Sequence, residues 1–351
     1  MSQDVYQKLR EFLHEMPGGY PATESGVEIK ILKKLYTPEQ AELTMQLKDE
    51  PEDVSEIANR IGMNEFELAD KLEEMAQNGL IFRVREGEKR RYQAYQFLIG
   101  IYEFQLKNLD REFSELFEEY LPHFAIGMSH VRTSQMRTVP VGSVVKTTDG
   151  VATYNNVREL IKEKDFISVQ QCICRKEQGF LGNDCPYPQE VCIGFGDFAR
   201  YYVDNEMGRQ INLDEALKVL DLAEEKGLVL RPNNAQDIDA ICCCCPCCCP
   251  SLKYGKMFER PADTVLSYYV SKIDSSLCSA CGVCIERCPM DAIKLDDDFS
   301  EIIDGRCIGC GVCIPTCPEE AITLEAKPDM EAPPIDFEET FQRIKEERSS
   351  A

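Results

Sequence analysis

The strongest constraint on this chain is an internal repeat near its C-terminus. Cys278, Cys281, Cys284, Cys288 and Pro289 recur 29 residues later as Cys307, Cys310, Cys313, Cys317 and Pro318. Ala292, Ile293 and Leu295 recur as Ala321, Ile322 and Leu324. Each half reads as a cysteine loop, a short helix and a strand, so the two halves predict a pseudo-twofold α+β unit.

The spacing has a physical cause. A C-x-x-C-x-x-C loop wraps one face of an iron–sulfur cubane and delivers a thiolate to each of three irons. The fourth cysteine, three residues on, is followed by a proline that turns the chain away, and it reaches the other cluster. The expected ligand sets are therefore Cys278, Cys281, Cys284 and Cys317 for one [4Fe–4S] cluster, and Cys307, Cys310, Cys313 and Cys288 for the second. Gly282 and Gly311 let the backbone approach the sulfides, and neighbouring amide N–H groups can stabilise the reduced state. Two structural zinc sites are the alternative, but zinc ribbons space their cysteine pairs more widely and have no use for a trailing Cys-Pro. The expected unit is a bacterial-ferredoxin-type domain over 261–326. Two clusters in one small domain suit relay of single electrons, and nothing in the repeat binds an organic substrate.

Eleven further cysteines lie upstream, out of nineteen in the chain. Cys172, Cys174, Cys185 and Cys192 are close enough in sequence to close around one metal, with Arg175 and Lys176 offsetting thiolate charge. In C-x-C, an extended backbone puts both side chains on one side. A further [4Fe–4S] cluster is the expectation there, with zinc and free redox thiols as the alternatives. Cys242, Cys243, Cys244, Cys245, Cys247, Cys248 and Cys249 exceed what one cubane uses. Alternation sends Cys243 and Cys245 to one side and Cys242 and Cys244 to the other. One side can complete the Cys172–Cys192 site while the other holds a second, or a non-cubane, cluster. Buried thiols with no metal would gain nothing and oxidise readily.

Bulk composition narrows the class. Disulfide scaffolds are mostly short and secreted, and 351 residues fit two or three domains instead. The start of the chain is too interrupted by Asp4, Lys8, Arg10 and Glu11 for a signal peptide, and no apolar run is long enough to span a bilayer. A cytoplasmic location, and an anaerobic host, are expected. The net charge of −23 repels nucleic-acid phosphates and favours basic patches on protein partners. Each cluster with its four thiolates adds about −2.

The first 171 residues contain no cysteine. Residues 3–16 read as an amphipathic helix that packs on the body, with a dimer contact as the alternative. Residues 28–97 read as four helices and a hairpin. Thr37-Pro38 opens the second of these helices, Gly62 closes the third, and Asn64 to Gly79 bounds the fourth. The hairpin pairs 80–85 with 91–95 around a turn at 86–88. The order resembles a winged-helix domain, carried by "VSEIANRIGMNEFELADKLEEMAQNGLIF". Further expectations are one helix over 98–121, a β-like stretch over 140–151, a short helix over 156–164, a helix capped by Asn212 and closed by Gly227, and a tail from Lys327 that is Pro-rich, then acidic and helical, and mobile or partner-dependent. The expected fold is α+β and multidomain: an N-terminal helix and winged-helix-like domain at 1–97, a helical connector at 98–165, a Cys-rich metal-binding domain at 166–260, the ferredoxin-like domain at 261–326, and the tail at 327–351.

Weaker signals are set aside. Gly194-Phe-Gly196-Asp-Phe-Ala199 fits a relaxed dinucleotide fingerprint, but a cysteine loop rather than an apolar strand is expected before it. His14, His123 and His130 form no paired arrangement. Arg132, Arg137 and Lys146 read as a solvated basic face.

The back half also resembles a family of ferredoxin-domain proteins of anaerobic bacteria, through "QCICRKEQGF", "CPYPQEVCIGFG", "GRQINLDEALKVL", "ICCCCPCCCP" and the double cysteine repeat. That resemblance implies 4Fe–4S binding and electron transfer in anaerobic metabolism, and supplies no substrate. The leading functional expectation is a carrier relaying single low-potential electrons to or from a larger redox enzyme, rather than an independent enzyme. One alternative is a redox-sensing winged-helix regulator. It is disfavoured because the candidate recognition helix carries Glu65, Glu67, Asp70, Glu73 and Glu74 against Lys71 alone, although the hairpin is basic. Another is a reductase acting at an unusual cluster on the Cys242–Cys249 run. The oligomeric state is not legible.

Overall fold

In the computed structural model, residues 4–128, 131–145, 152–296, 298–328 and 330–350 are described. His130, Lys146 and residues 146–151 of the expected β-like stretch lie outside them. The chain is a mixture of helices and mainly antiparallel sheets, consistent with the α+β class.

The front part follows its capping signals closely. Helices α1 (Val5–Glu15), α2 (Val27–Leu35) and α3 (Pro38–Thr44) lead into a two-residue strand β1 (Glu52–Asp53). Next come α4 (Val54–Ile61), α5 (Glu65–Gln77) and the hairpin β2 (Phe82–Glu86) and β3 (Lys89–Gln93). Thr37 and Gln40 form a reciprocal capping box at the start of α3. Gly62 ends α4 in the left-handed region, and Asn64 caps α5 by accepting the Phe66 and Glu67 N–H groups. The three strands order as β1-β3-β2.

The expected helix over 98–121 is broken. Leu98 to Gly100 leave helical dihedrals, with Gly100 crowded against the Tyr95 ring and its N–H donated to Glu103 Oε2 at 2.6 Å. A new helix, α6 (Arg111–Gly127), starts where Asp110 accepts the Phe113 N–H at 2.8 Å. It runs through Pro122 rather than stopping before it. Pro122 is exposed, so the missing donor and the ring are accommodated on the solvent side.

The middle part is a five-stranded antiparallel sheet of β4 (Ile167–Gln171), β5 (Glu190–Phe195), β6 (Gly208–Ile211), β7 (Val229–Pro232) and β8 (Ala240–Cys244), in the order β6-β4-β5-β8-β7. Asn212 caps the Leu213–Glu225 helix with a second capping box, and Gly227 follows with φ 72°. Ala216 and Leu220 of that helix share a core with Ile193, Ile241 and Cys243. The Gly196–Asp204 helix instead turns toward the front part. Its Tyr201 and Tyr202 are buried in one core with Leu68, Leu72, Phe82, Phe104 and Phe117. The Tyr201 hydroxyl donates to the Ala76 carbonyl at 2.7 Å and to that of Ile81 at 2.9 Å.

At the back, β9 (Tyr269–Ile273) pairs with β12 (Ile322–Ala326), and β10 (Ile293–Asp296) with β11 (Phe299–Ile302). The tail is not loose. Its Phe337–Ser349 helix buries Ile344 to 1 % exposure, donates from Thr340 Oγ1 to the Asn234 carbonyl at 2.7 Å, and joins Arg348 to the His14 and Met16 carbonyls. Glu347 accepts the backbone N–H groups of Arg132 and Thr133. An apolar stripe of Phe337 and Ile344 inside an acidic sequence explains the docking. No helix among the described residues is long and apolar enough to cross a membrane.

Candidate metal centres

The two halves of the repeat fold as loop, helical turn and strand, and they interlock. One cavity is lined by Cys307, Cys310 and Cys313 together with Cys288. The other is lined by Cys278, Cys281 and Cys284 together with Cys317. Each cavity thus takes three thiols from one loop and its fourth from the other half.

The pseudo-symmetry extends into the backbone. Ala280 and Gly309 hold φ 57° and 59°, Gly282 and Gly311 77° and 71°, and Asp291 and Glu320 47° and 50°. Only Gly309 is sterically compulsory in that first pair, because a Cβ there would lie 2.1 Å from the Tyr269 carbonyl oxygen. Amide donors are aimed at the sulfurs in matching pairs. Ala292 N–H points at Cys288 Sγ (3.2 Å) and Ala321 N–H at Cys317 Sγ (3.3 Å). Ser271 N–H points at Cys307 Sγ (3.3 Å) and Ser300 N–H at Cys278 Sγ (3.4 Å). Donors of this kind favour thiolate over thiol, which is the form that binds metal. The second pair crosses between halves, and the cysteine spacing alone does not reveal it. Its signal is Val-Ser-Lys-Ile at 270–273 against Phe-Ser-Glu-Ile at 299–302, at the same offset of 29 residues. Burial pushes the Cys313 thiol up to about 12 and raises those of Cys284, Cys288 and Cys310. A bound cation would favour the thiolate form at these buried positions. Four thiols per cavity, amide donors on the sulfurs and apolar walls such as Ile293, Ile302 and Ile308 suit an iron–sulfur cluster.

Upstream, the fold regroups the eleven cysteines. Of the sequence-local set Cys172, Cys174, Cys185 and Cys192, the structure brings Cys185 to Cys245, Cys247 and Cys248. The Leu181–Gln189 connection between the Ile173–Phe180 helix and β5 carries Cys185 away to the far end of β8. There the Sγ atoms of Cys185, Cys245, Cys247 and Cys248 all lie within 4.8 Å of one another. The Cys185–Cys245, Cys185–Cys247 and Cys247–Cys248 separations are 3.8, 3.7 and 3.5 Å.

A second group forms on the sheet face that looks toward the front part. Cys192 on β5 sits opposite Cys242 on β8, and Cys244 follows two residues along. The thiols interact in the series Cys192, Cys242, Cys244, Cys249, while Cys174 interacts with Cys172, Cys244 and Cys249. Cys172 keeps the expected extended backbone, but Cys174 does not. Cys172 is the N-cap residue and Cys174 lies in the first turn of the Ile173–Phe180 helix. The neighbouring thiol pushes Cys174 up, and the Cys174 thiol together with the Arg175 charge pulls Cys172 down. Cys243, on the opposite face, is 2 % exposed and its thiol is pushed up to about 12 by burial. It occupies core volume beside Ile241.

Arg175 stands between the two groups at 1 % exposure. It donates from Nε to Cys245 Sγ at 3.4 Å, from Nη2 to the Cys243 carbonyl at 2.7 Å and from Nη1 to the Pro188 carbonyl. Among the described residues it makes no ion pair with a carboxylate. A buried guanidinium in this setting requires anionic thiolate beside it.

β5 does precede the Gly194–Ala199 fingerprint, contrary to the expected cysteine loop. However, its sheet neighbours β4 and β8 are antiparallel, and Gly194 instead makes room for Ser168 Oγ and Ala199. Arg137 is no solvated cation: it is fully buried and donates to the Tyr154 and Asn233 carbonyls, with desolvation lowering its pKa to about 10. His14 Nδ1 accepts the Tyr20 N–H, and His123 is exposed.

Residues 271–318 match the family described as a 4Fe-4S dicluster domain. Comparison with curated proteins and with solved structures returned no match. The cysteine geometry and the matched domain together make this an iron–sulfur, metal-binding chain.

Proposed function

We propose that the protein is an electron carrier with two [4Fe–4S] clusters in its C-terminal domain, passing single low-potential electrons to or from a larger redox enzyme in anaerobic metabolism. The observation that carries this reading is the exchange of Cys288 and Cys317 between the two cysteine cavities. A cluster bound in each cavity supplies one-electron redox chemistry. The residues' own part is to hold the thiolates and aim the amides of Ser271, Ala292, Ser300 and Ala321 at sulfur. Cys281 is exposed, so the cavity it lines with Cys278, Cys284 and Cys317 lies close to the surface, where a partner can approach. The net charge of −23 favours a partner with a basic docking patch. The six thiols of Cys172, Cys174, Cys192, Cys242, Cys244 and Cys249 extend the reading to a further cluster of higher nuclearity.

The test is anaerobic purification with iron and acid-labile sulfide analysis, followed by EPR at graded potentials. About eight irons account for the two C-terminal clusters and twelve or more require upstream binding. Colourless protein carrying zinc alone would sink the proposal.

A second reading has one observation in its favour. The order β1-β3-β2 beside α4 and α5 resembles a winged-helix arrangement, which is what a redox-sensing regulator would need. The ion pairs oppose it. Arg83 and Arg90 pair with Glu73, Arg85 with Asp204, Lys89 with Asp53 and Arg91 with Glu86. The hairpin's cations are thus spent within the chain, and α5 presents carboxylates. Salt-dependent gel-shift binding to DNA at submicromolar protein would reverse this order.

A further inference from the structure

We propose that Cys185, Cys245, Cys247 and Cys248 bind a single tetrahedrally coordinated thiophilic divalent ion, Zn2+ or Fe2+, rather than an iron–sulfur cluster. The assignment deepens the reading of the upstream cysteines as metal ligands and does not depend on the C-terminal clusters.

Sulfur geometry decides nuclearity. Four thiolates at about 2.3 Å from one ion form a tetrahedron whose edges are about 3.8 Å. The observed separations of 3.8, 3.7 and 3.5 Å, within a group spanning no more than 4.8 Å, match that edge. Thiolates bound to the four irons of a cubane point away from one another and stand much farther apart. No such cube fits between sulfurs already in van der Waals contact.

Charge supports the same conclusion. Four thiolates around a divalent ion carry a net double negative charge, and the buried Arg175 guanidinium donates to Cys245 Sγ with no carboxylate partner among the described residues. Its ring-face contact with Tyr187 keeps it in place. The ligand set is soft and all-sulfur, which selects Zn2+ or iron over Mg2+ or Ca2+. With all four positions filled by protein, the ion has no open site for substrate and acts as a clip. It ties the Leu181–Gln189 connection, which contains no helix or strand, to the turn after β8. This also fixes where Cys249 and the preceding strand deliver thiols to the other group.

The experiment uses the full chain, purified without oxygen from cells grown with zinc and 57Fe, and its variants Cys185→Ser and Cys247→Ser. The expected result is about one zinc per chain in the parent, at least fivefold less in both variants, with cluster iron and labile sulfide unchanged. Loss instead of one iron without sulfide, together with loss of a mononuclear tetrathiolate Mössbauer signature, equally supports the single-ion site and identifies the ion as iron. Loss of iron and sulfide in equal amounts overturns the proposal, as does no metal change in either variant. X-ray absorption of the parent at the zinc or iron edge needs no variant. For zinc, four sulfur neighbours at about 2.3 Å and no metal neighbour are expected. A Cys278→Ser protein should lose cluster iron yet keep this ion, which separates failure of the clip from failure of the electron-carrier reading.

Discussion

Cys288 lies four residues from Cys284, yet it lines the cavity of Cys307, Cys310 and Cys313. Replacing it by serine should therefore damage the distant centre and spare the near one. The magnitude follows from the cavities: each offers four thiols, enough for one cubane, so under the proposed two-cluster reading loss of any single ligand puts about four of eight C-terminal irons at risk. In Cys288→Ser, the vacated sulfur also leaves the Ala292 N–H, 3.2 Å from it, without its charged acceptor. Hydrogen bonds to charged groups are worth about 1.5–3 kcal/mol, so partial reconstitution at the altered site should be unstable. Double variants make the test decisive. Cys288→Ser with Cys307→Ser strikes one cavity twice, and iron should fall by about four, no more than in either single variant. Cys288→Ser with Cys284→Ser strikes both cavities, and iron should fall by about eight. Anaerobic iron and sulfide determination, with EPR of the reduced protein for the coupling between two neighbouring centres, reads both. If Cys288→Ser with Cys284→Ser lost only four irons, the exchange of ligands would be refuted.

Three further outcomes are expected. Arg83 is 3 % exposed and joined to Glu73 at 2.5 Å and to Asn205 at 3.1 Å, so Arg83→Ala should destabilise the chain by about 3–5 kcal/mol in anaerobic denaturant unfolding; a loss under 1 kcal/mol would contradict the pairing. Glu177 is fully buried and desolvation pushes its carboxyl up to about 7 from 4.5. Because the folded pKa is the higher one, its contribution to stability is present in full below about 4.5 and declines as pH rises through 7, by up to about 3 kcal/mol. Glu177→Gln should remove that slope, and parallel parent and variant stabilities from pH 4.5 to 8 would disprove the burial. Ile344→Ala in the C-terminal helix should cost about 2–4 kcal/mol and expose 336–350 to proteases; unchanged proteolysis would show that the helix does not dock through that side chain.

Local rules were readable wherever one residue decides a local geometry. Thr37, Gly62, Asn64, Asn212 and Gly227 mark helix ends because capping is settled within four residues. Over 98–121 apolar periodicity does not register the Glu103 carboxylate accepting the Gly100 N–H, nor the solvent-side room that lets Pro122 sit inside a helix. In the tail the helix is legible and its docking is not. Its overall charge hides two apolar side chains, Phe337 and Ile344, that are buried in the fold.

For the metal centres the division is sharper. The eight C-terminal cysteines and their exchange are contained in spacing alone, since a loop of three-residue steps and a trailing Cys-Pro leave little geometric choice. The eleven upstream cysteines are not determined by spacing. Adjacent thiols on a strand point to opposite faces, and a partner such as Cys185 arrives from sixty residues away. Which thiols meet depends on the pairing of Cys192 with Cys242 across the sheet and on where the Leu181–Gln189 connection lands. Those are tertiary facts, because sheet register and loop placement are set by burial of Ile193, Ile241 and Leu220 in the core rather than by the cysteines themselves.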